Sequence, residues 1–237
     1  MLVSVIIPAL NEADNIQQAV SAARRCYAPD QVEIVVVDGG SSDGTPDLVP
    51  PDVALIHSPR GRAVQMNRGA TVSRGDILVF CHADSQLPVG WREAVVESLS
   101  QPGVSGGTFQ TLIMPQQGVS HLIRNRMRFP SNWRFMFGDQ VQFMSRSTYE
   151  QVAGFQEIPL MEDVEMSRVL NGIGRLVRVP LPMRVITSSR RFAERGAIRQ
   201  SLLNLYCLIR YLYFGATAEE IARVYRSSRE EQLSDGI

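Results

Sequence analysis

The stretch Asp76-Ile77-Leu78-Val79-Phe80-Cys81-His82-Ala83-Asp84-Ser85 sets the reading of this chain. A continuous apolar run with β-branched and aromatic members has the make-up of a buried strand. It stops abruptly at His82, Ala83 and Asp84. Polar groups just past the C-terminal end of a strand stand where open α/β sheets bind their ligands. Ala83 is small enough for a bulky ligand to come close, and His82 and Asp84, two apart on extended backbone, project to one side. The pair reads as a diphosphate and metal site; the plainer alternative is a strand that ends in a polar turn.

Upstream, the same pattern recurs. Leu2 to Ile7 is an apolar strand that turns out through Pro8-Ala9-Leu10-Asn11-Glu12. Asp14 or Asn15 can cap the next helix, whose Ile16, Val20 and Ala23 follow helical spacing, and Pro29 and Asp30 break it. A second apolar strand, Glu33 to Val37, runs into Asp38-Gly39-Gly40-Ser41-Ser42-Asp43-Gly44-Thr45. Strand, helix and strand in that order make a βαβ unit, and two wholly apolar strands imply a parallel sheet covered on both faces. The glycine-rich loop allows close backbone approach and offers several N–H donors. It is neither a dinucleotide fingerprint nor a Walker loop. Asp38 at a strand end suits a base or ribose, and a capping turn led by Asp43 is the alternative. Val53 to His57 reads as a third strand, and Arg60 and Arg62 then form an anion-friendly corner at the start of a helix.

Downstream, a helix over 90–99 precedes Val104 to Ile113, which reads as one exposed or antiparallel strand. The segment 121–134 alternates Arg with aromatic and aliphatic residues, as an amphipathic helix with a basic face would. Val141 to Met144 is another apolar strand, and Glu162-Asp163 open a helix that runs to about Asn171. Paired carboxylates at a helix start are either caps or, beside a pocket, a general base. Val177 to Ile186 reads as one strand, followed by Arg190-Arg191, a pair able to grip phosphate. In 200–214, Leu202, Leu205, Ile209 and Leu212 share a helical face that either packs on the core, pairs with a second subunit or lies on a membrane. A last helix begins near Ala216, capped by Thr217.

Composition bounds these readings. The 237 residues are 44% hydrophobic and 20% charged with net charge zero, which fits an ordinary globular chain and argues against a general nucleic-acid binder. All 24 basic residues are Arg, so an anion site must use the bidentate guanidinium fork. Three widely spaced cysteines fit reduced thiols and exclude a cysteine zinc cluster. With no leader-like start and no run of ~20 apolar residues, the expectation is a cytoplasmic protein, at most peripheral to the inner membrane.

Several of these segments together resemble a known family. Val3-Ser4-Val5-Ile6-Ile7-Pro8-Ala9-Leu10-Asn11-Glu12 and Val36-Val37-Asp38-Gly39-Gly40-Ser41-Ser42-Asp43-Gly44-Thr45 look like the opening of family 2 glycosyltransferases. The bacterial subgroup associated with radical-SAM and selenium-related genes is matched more fully. Its motifs are Gly61-Arg62-Ala63, Gln65-Met66-Asn67, His82-Ala83-Asp84, Gly138-Asp139-Gln140, Met161-Glu162-Asp163-Val164 and Thr187-Ser188-Ser189-Arg190-Arg191. The resemblance implies a GT-A fold: a Rossmann-like, mostly parallel twisted sheet flanked by helices, with a C-terminal helical segment. It implies one domain over 1–237, with a nucleotide-binding half (1–100), an acceptor and catalytic half (101–190) and C-terminal helices (191–237).

The implied activity is inverting transfer of a sugar from a nucleotide sugar, most often a uridine donor, to an acceptor that the sequence does not identify. Carried over by position, Pro8, Glu12 and Asp38 hold the nucleoside and Arg62 lies near the base or phosphates. Asp84 is the last carboxylate of the Asp-x-Asp metal motif, for Mg²⁺ or Mn²⁺. Asp163 is the base, Glu162 stands beside it, and Arg190 and Arg191 face the diphosphate. His82 replaces the first Asp of that motif, which puts metal dependence in question and makes Asp84 and His82 the metal pair. Two other readings compete: a relative that binds nucleotide sugar without catalysis, and a sugar nucleotidyltransferase. The Pro8-Ala9-Leu10-Asn11-Glu12 turn, where nucleotidyltransferases carry a glycine-rich loop, disfavours the second.

Overall fold

The computed structural model describes residues 1–114, 135–188 and 197–234. The basic segment 121–134 and the pair Arg190 and Arg191 lie outside the described residues.

Strands β1 (Val3–Ala9), β2 (Val32–Asp38), β3 (Ala54–His57) and β4 (Ile77–Phe80) run parallel, in the order β3-β2-β1-β4. The sheet continues through β8 (Gln142–Ser145), antiparallel to β4, then β6 (Val104–Thr108) and β9 (Arg175–Arg178), to seven strands among the described residues. Alternate residues of each strand face opposite sides. Val3, Val5, Ile7, Ile34, Val36 and Val79 bury one face beneath helices α1 (Ile16–Arg24) and α3 (Trp91–Ser100). Ile6, Val35, Val37, Leu78 and Phe80 bury the other beneath α2 (Arg62–Val72) and the helix Glu162–Ile173. Two buried faces are why these strands carry so few polar residues.

Two expected single strands are each divided between two sheets. Residues 104–113 become β6 in the large sheet and β7 (Gln110–Met114) in a small one, with fully buried Phe109 at the break. Residues 177–186 become β9 and β10 (Arg184–Ser188), separated by Pro180 and Pro182, which cannot donate to a ladder. The small sheet pairs β10 in parallel with β7 and antiparallel with β5 (Ser85–Gln86), bringing Ser188 beside Asp84.

With the short helix Arg146–Gln151 taken as α4 and Glu162–Ile173 as α5, the described chain ends in α6 (Ala197–Tyr213) and α7 (Ala218–Ser234). Cys207, Ala216 and Ile221 form a small core of their own, with Leu160, Met161, Leu203 and Tyr211 packed on it. Thr217 caps α7 as expected, its hydroxyl accepting from the Glu220 N–H. The Leu202–Leu205–Ile209 face of α6 is exposed, however; Gln200 and Cys207, on the opposite side, are the buried positions. Among the described residues, no helix is long and apolar enough to cross a membrane.

Candidate functional site

All four parallel strands end on one edge, and most of the residues singled out from the sequence gather there. Pro8 is the next-to-last residue of β1, and Glu12, nearly buried, accepts from the Asn15 amide at 2.7 Å while its own N–H donates to Thr45 Oγ1 at 2.8 Å. The loops after β1 and β2 are stitched together: Asn11 N–H donates to Ser41 Oγ (2.9 Å), and Ser42 N–H to Asn11 Oδ1 (2.9 Å). Asn11 takes a positive φ of 55° to make that pairing, a conformation its short polar side chain tolerates.

Asp38 closes β2, 2% exposed, and its carboxylate accepts from the N–H groups of Gly40 (2.9 Å) and Ser41 (3.2 Å). His57 Nδ1 lies 3.4 Å away. Burial alone would raise its pKa, but the hydrogen bonds from Ser41 and Gly40 outweigh that and hold Asp38 below the ordinary carboxylate value. Asp38 is therefore a fixed anion at the mouth of the β1–β2 crevice.

At the end of β4 the backbone does not stay extended. Residues 83 and 84 form a turn, in which Ser85 N–H donates to the His82 carbonyl at 3.0 Å. Side-by-side projection from an extended segment is therefore corrected to presentation from a turn. Asp84 is half-buried; its carbonyl accepts from Ser188 N–H, and its carboxylate from the Ser85 hydroxyl at 3.3 Å. His82 points elsewhere: a Cβ on Gly138 would come within 2.6 Å of His82 Nε2 and 3.6 Å of Asp163 Oδ2. Only glycine allows imidazole and carboxylate to flank that backbone so closely.

Asp163 sits in the first turn of α5. Its Oδ2 accepts from Gly138 N–H at 2.7 Å and its Oδ1 from Val164 N–H at 2.8 Å. Glu162, 2% exposed, pairs with Arg62 at 2.8 Å, closing a contact between residues a hundred positions apart. Burial is the largest influence on Asp163 and the Glu162 charge the next, and together they push its pKa up to about 7 against the opposing pull of Arg62 and the two N–H groups. A carboxyl that releases its proton near neutrality is matched to general-base work. Cys81, by contrast, is buried with its thiol pKa pushed up, and serves as packing.

The edge therefore brings together Pro8, Glu12, Asp38, Arg62, His82, Asp84, Glu162 and Asp163. Thr187 and Ser188 reach it too, while Arg190 and Arg191 lie outside the described residues. Sequence reasoning missed the Arg62–Glu162 pair and the part played by Gln65, whose amide spans β1 and β2. No spacing signal exists for the pair; the signal for Gln65 was a polar residue on the buried face of a helix.

Among the described residues, no three His, Cys, Asp or Glu side chains converge on one point. A single half-buried carboxylate in a turn, Asp84, fits a cation that takes its remaining oxygens from a diphosphate and water, as hard divalent ions do.

The model of glycosyl transferase family 2 matches residues 4–156. Glycosyltransferase AglE of Haloferax volcanii is 34% identical over 111 residues, 43% of this chain and 36% of that protein. The probable glycosyltransferase YdaM of Bacillus subtilis is 26% identical over 207 residues, 74% of this chain and 48% of that protein. The chain thus spans half or less of the length of these relatives. Among solved structures, mannosyltransferase PcManGT from Pyrobaculum calidifontis, in complex with GDP-Man and Mn²⁺, superposes with a TM-score of 0.61 at 20% identity, covering 98% of this chain and 75% of that one. S. aureus TarS 1-349 superposes with a TM-score of 0.64 at 14% identity, covering 96% and 71%. The architecture is the GT-A fold, a mostly parallel mixed sheet flanked by helices with helices at its C-terminal end. With more than half of its residues matched by the family model, the chain belongs to glycosyl transferase family 2.

Proposed function

We propose that this chain transfers a sugar from a nucleotide sugar to an acceptor hydroxyl with inversion at the anomeric carbon. The observation that carries the reading is the Asp163 carboxylate, held by Gly138 and Val164 N–H with its pKa raised, on the same sheet edge as Asp38, Arg62 and Asp84. Asp38, Glu12 and Pro8 hold the nucleoside, with a uridine diphosphate sugar as the favoured donor. Solved structures of this fold carry either GDP-Man or UDP-GlcNAc.

Asp163 takes the acceptor proton as the acceptor oxygen attacks the anomeric carbon. The bond from that carbon to the diphosphate oxygen breaks, and the leaving group departs with its electron pair. Arg62, Arg190 and Arg191 meet the growing negative charge. Glu162 keeps Arg62 oriented towards the edge through their ion pair. Asp84 would hold a Mg²⁺ or Mn²⁺ ion together with diphosphate and water oxygens, while His82, expected as the second donor, is aimed instead at Gly138. Such an ion supplies further charge stabilisation to the diphosphate. The motif set from Gly61-Arg62-Ala63 to Thr187-Ser188-Ser189 supports placing the chain in the radical-SAM and selenium-associated subgroup.

The test is release of nucleoside diphosphate by the purified chain from UDP- and GDP-sugars with a panel of hydroxyl acceptors. Asp163→Asn should abolish transfer while nucleoside diphosphate still binds. Transfer by Asp163→Asn at the wild-type rate removes Asp163 as the base, and pyrophosphate release would replace the reading with nucleotidyl transfer.

A further inference from the structure

Gln65 lies on α2, 4% exposed, one turn after Arg62, so both side chains face the strand ends. Its Nε2 donates to the Ala9 carbonyl at 2.8 Å and to the Val37 carbonyl at 2.8 Å. Those carbonyls belong to the last rungs of the β1–β2 pairing, where Pro8 faces Val37 and Ala9 faces Asp38. A primary amide has two N–H donors. Both are used, so the amide cannot flip without turning its oxygen against two carbonyl oxygens.

Gly39 passes directly over this amide. A Cβ there would stand 3.0 Å from Nε2, 3.1 Å from Cδ and 3.2 Å from Oε1 of Gln65. Any side chain at position 39 would press on the flat amide and force it to give by a few tenths of an ångström. Gly39 N–H bonds the Ala9 carbonyl at 2.9 Å, and the next two N–H groups, of Gly40 and Ser41, hold the Asp38 carboxylate. An unbroken series of contacts thus runs from the Gln65 amide through Gly39 to Asp38.

We infer that Gln65 and Gly39 are an interlocked pair that positions Asp38 and its loop for the nucleoside of the donor. This rests on the reading of the edge as a nucleotide-sugar site. Gln65 is a positioning residue: it acts through Asp38 and stands apart from Asp163, so its loss should weaken nucleotide binding and leave the chemical step alone.

Three variants of the full chain test this: Gln65→Met, which keeps the volume but removes both donors; Gly39→Ala, which leaves the amide in place but pushes against it; and the double variant. UDP and GDP are titrated by calorimetry with Mn²⁺ and without it, and nucleoside diphosphate release is measured as a function of donor concentration. Each single variant should weaken binding and raise KM roughly tenfold with kcat unchanged, the pattern of lost positioning. The double variant should be no worse than the weaker single one, because residues that act through one contact are not additive.

Variants that bind as tightly as the wild type overturn the inference, and so does a purely additive loss that tracks melting temperature. If Gln65→Met does not fold, Gly39→Ala carries the same comparison. A wild-type chain that binds neither nucleotide overturns the nucleotide reading and this inference with it. Wild-type binding with unaffected variants overturns this inference alone.

Discussion

Asp163 shows how one carboxylate acquires its chemistry from its surroundings. It loses water on folding, stands next to Glu162, and is compensated only in part by Arg62 and two backbone N–H groups. Because its folded pKa is raised, the folded state holds a proton that the unfolded chain has already released. The stability it contributes is fully present below the ordinary carboxylate value and is lost as pH rises through about 7. The rate should move the opposite way, since only the ionised form accepts a proton. A pH series should therefore show transfer rising towards neutrality while melting temperature falls over the same interval, with the melting-temperature trend flattened in Asp163→Asn. A rate already at its plateau near the ordinary carboxylate pKa would remove the raised pKa from the mechanism. Asp38 and Asp163 were legible in the sequence because each borders an apolar element and sits in a recognisable motif. The Arg62–Glu162 pair was not, because only the assembled fold brings the start of α2 to the start of α5.

At the scale of elements, the candidate site lies at one edge of the sheet and a second set of side-chain ties at the other. The C-terminal edge carries the site, and the N-terminal edge is tied by side chains. Ser4 Oγ accepts from Gly75 N–H at 2.7 Å and donates to Glu33, which also accepts from Arg74. Arg146, the first residue of α4, caps the end of α2: it donates to the carbonyls of Gly75 (2.7 Å), Ala70 (3.1 Å) and Ser73 (2.9 Å). Arg146→Met should therefore cost about 1–3 kcal/mol in urea unfolding and leave nucleoside diphosphate affinity unchanged. Loss of affinity in step with stability would mean that the two edges are mechanically coupled. The strand pattern of β1, β2 and β4 was plain because strands buried on both faces read as apolar runs. The division of 104–113 and of 177–186 between two sheets was not. An alternating pattern marks which side of a strand is covered, but not which neighbour it pairs with; only Pro180 and Pro182 hinted at one break.

For the whole molecule, the C-terminal helices are the part whose burial runs against one alternative of the sequence reading, that the 202–209 face packs on the core. Amphipathicity shows that α6 has an apolar side, but not which side meets the body of the protein. Leu202 and Leu205 are 61% and 52% exposed, while Cys207 and Ile221 are both 1% exposed and pack near Met161, just ahead of α5. Tyr211 strengthens that attachment by donating to Glu165 at 2.7 Å. The energetic weight of these helices thus lies in a few small contacts behind α5 and hardly at all in the long apolar stripe. Replacing Leu205 and Ile209 by Gln should each change unfolding free energy by no more than about 0.5 kcal/mol, as for exposed positions. Ile221→Ala should cost about 2–4 kcal/mol, since it empties a closed site. Chemical denaturation of the three variants decides between the two sets of positions. If the glutamine variants were the more damaging, the Leu202–Leu205–Ile209 face would be the one that anchors α6 to the rest of the chain.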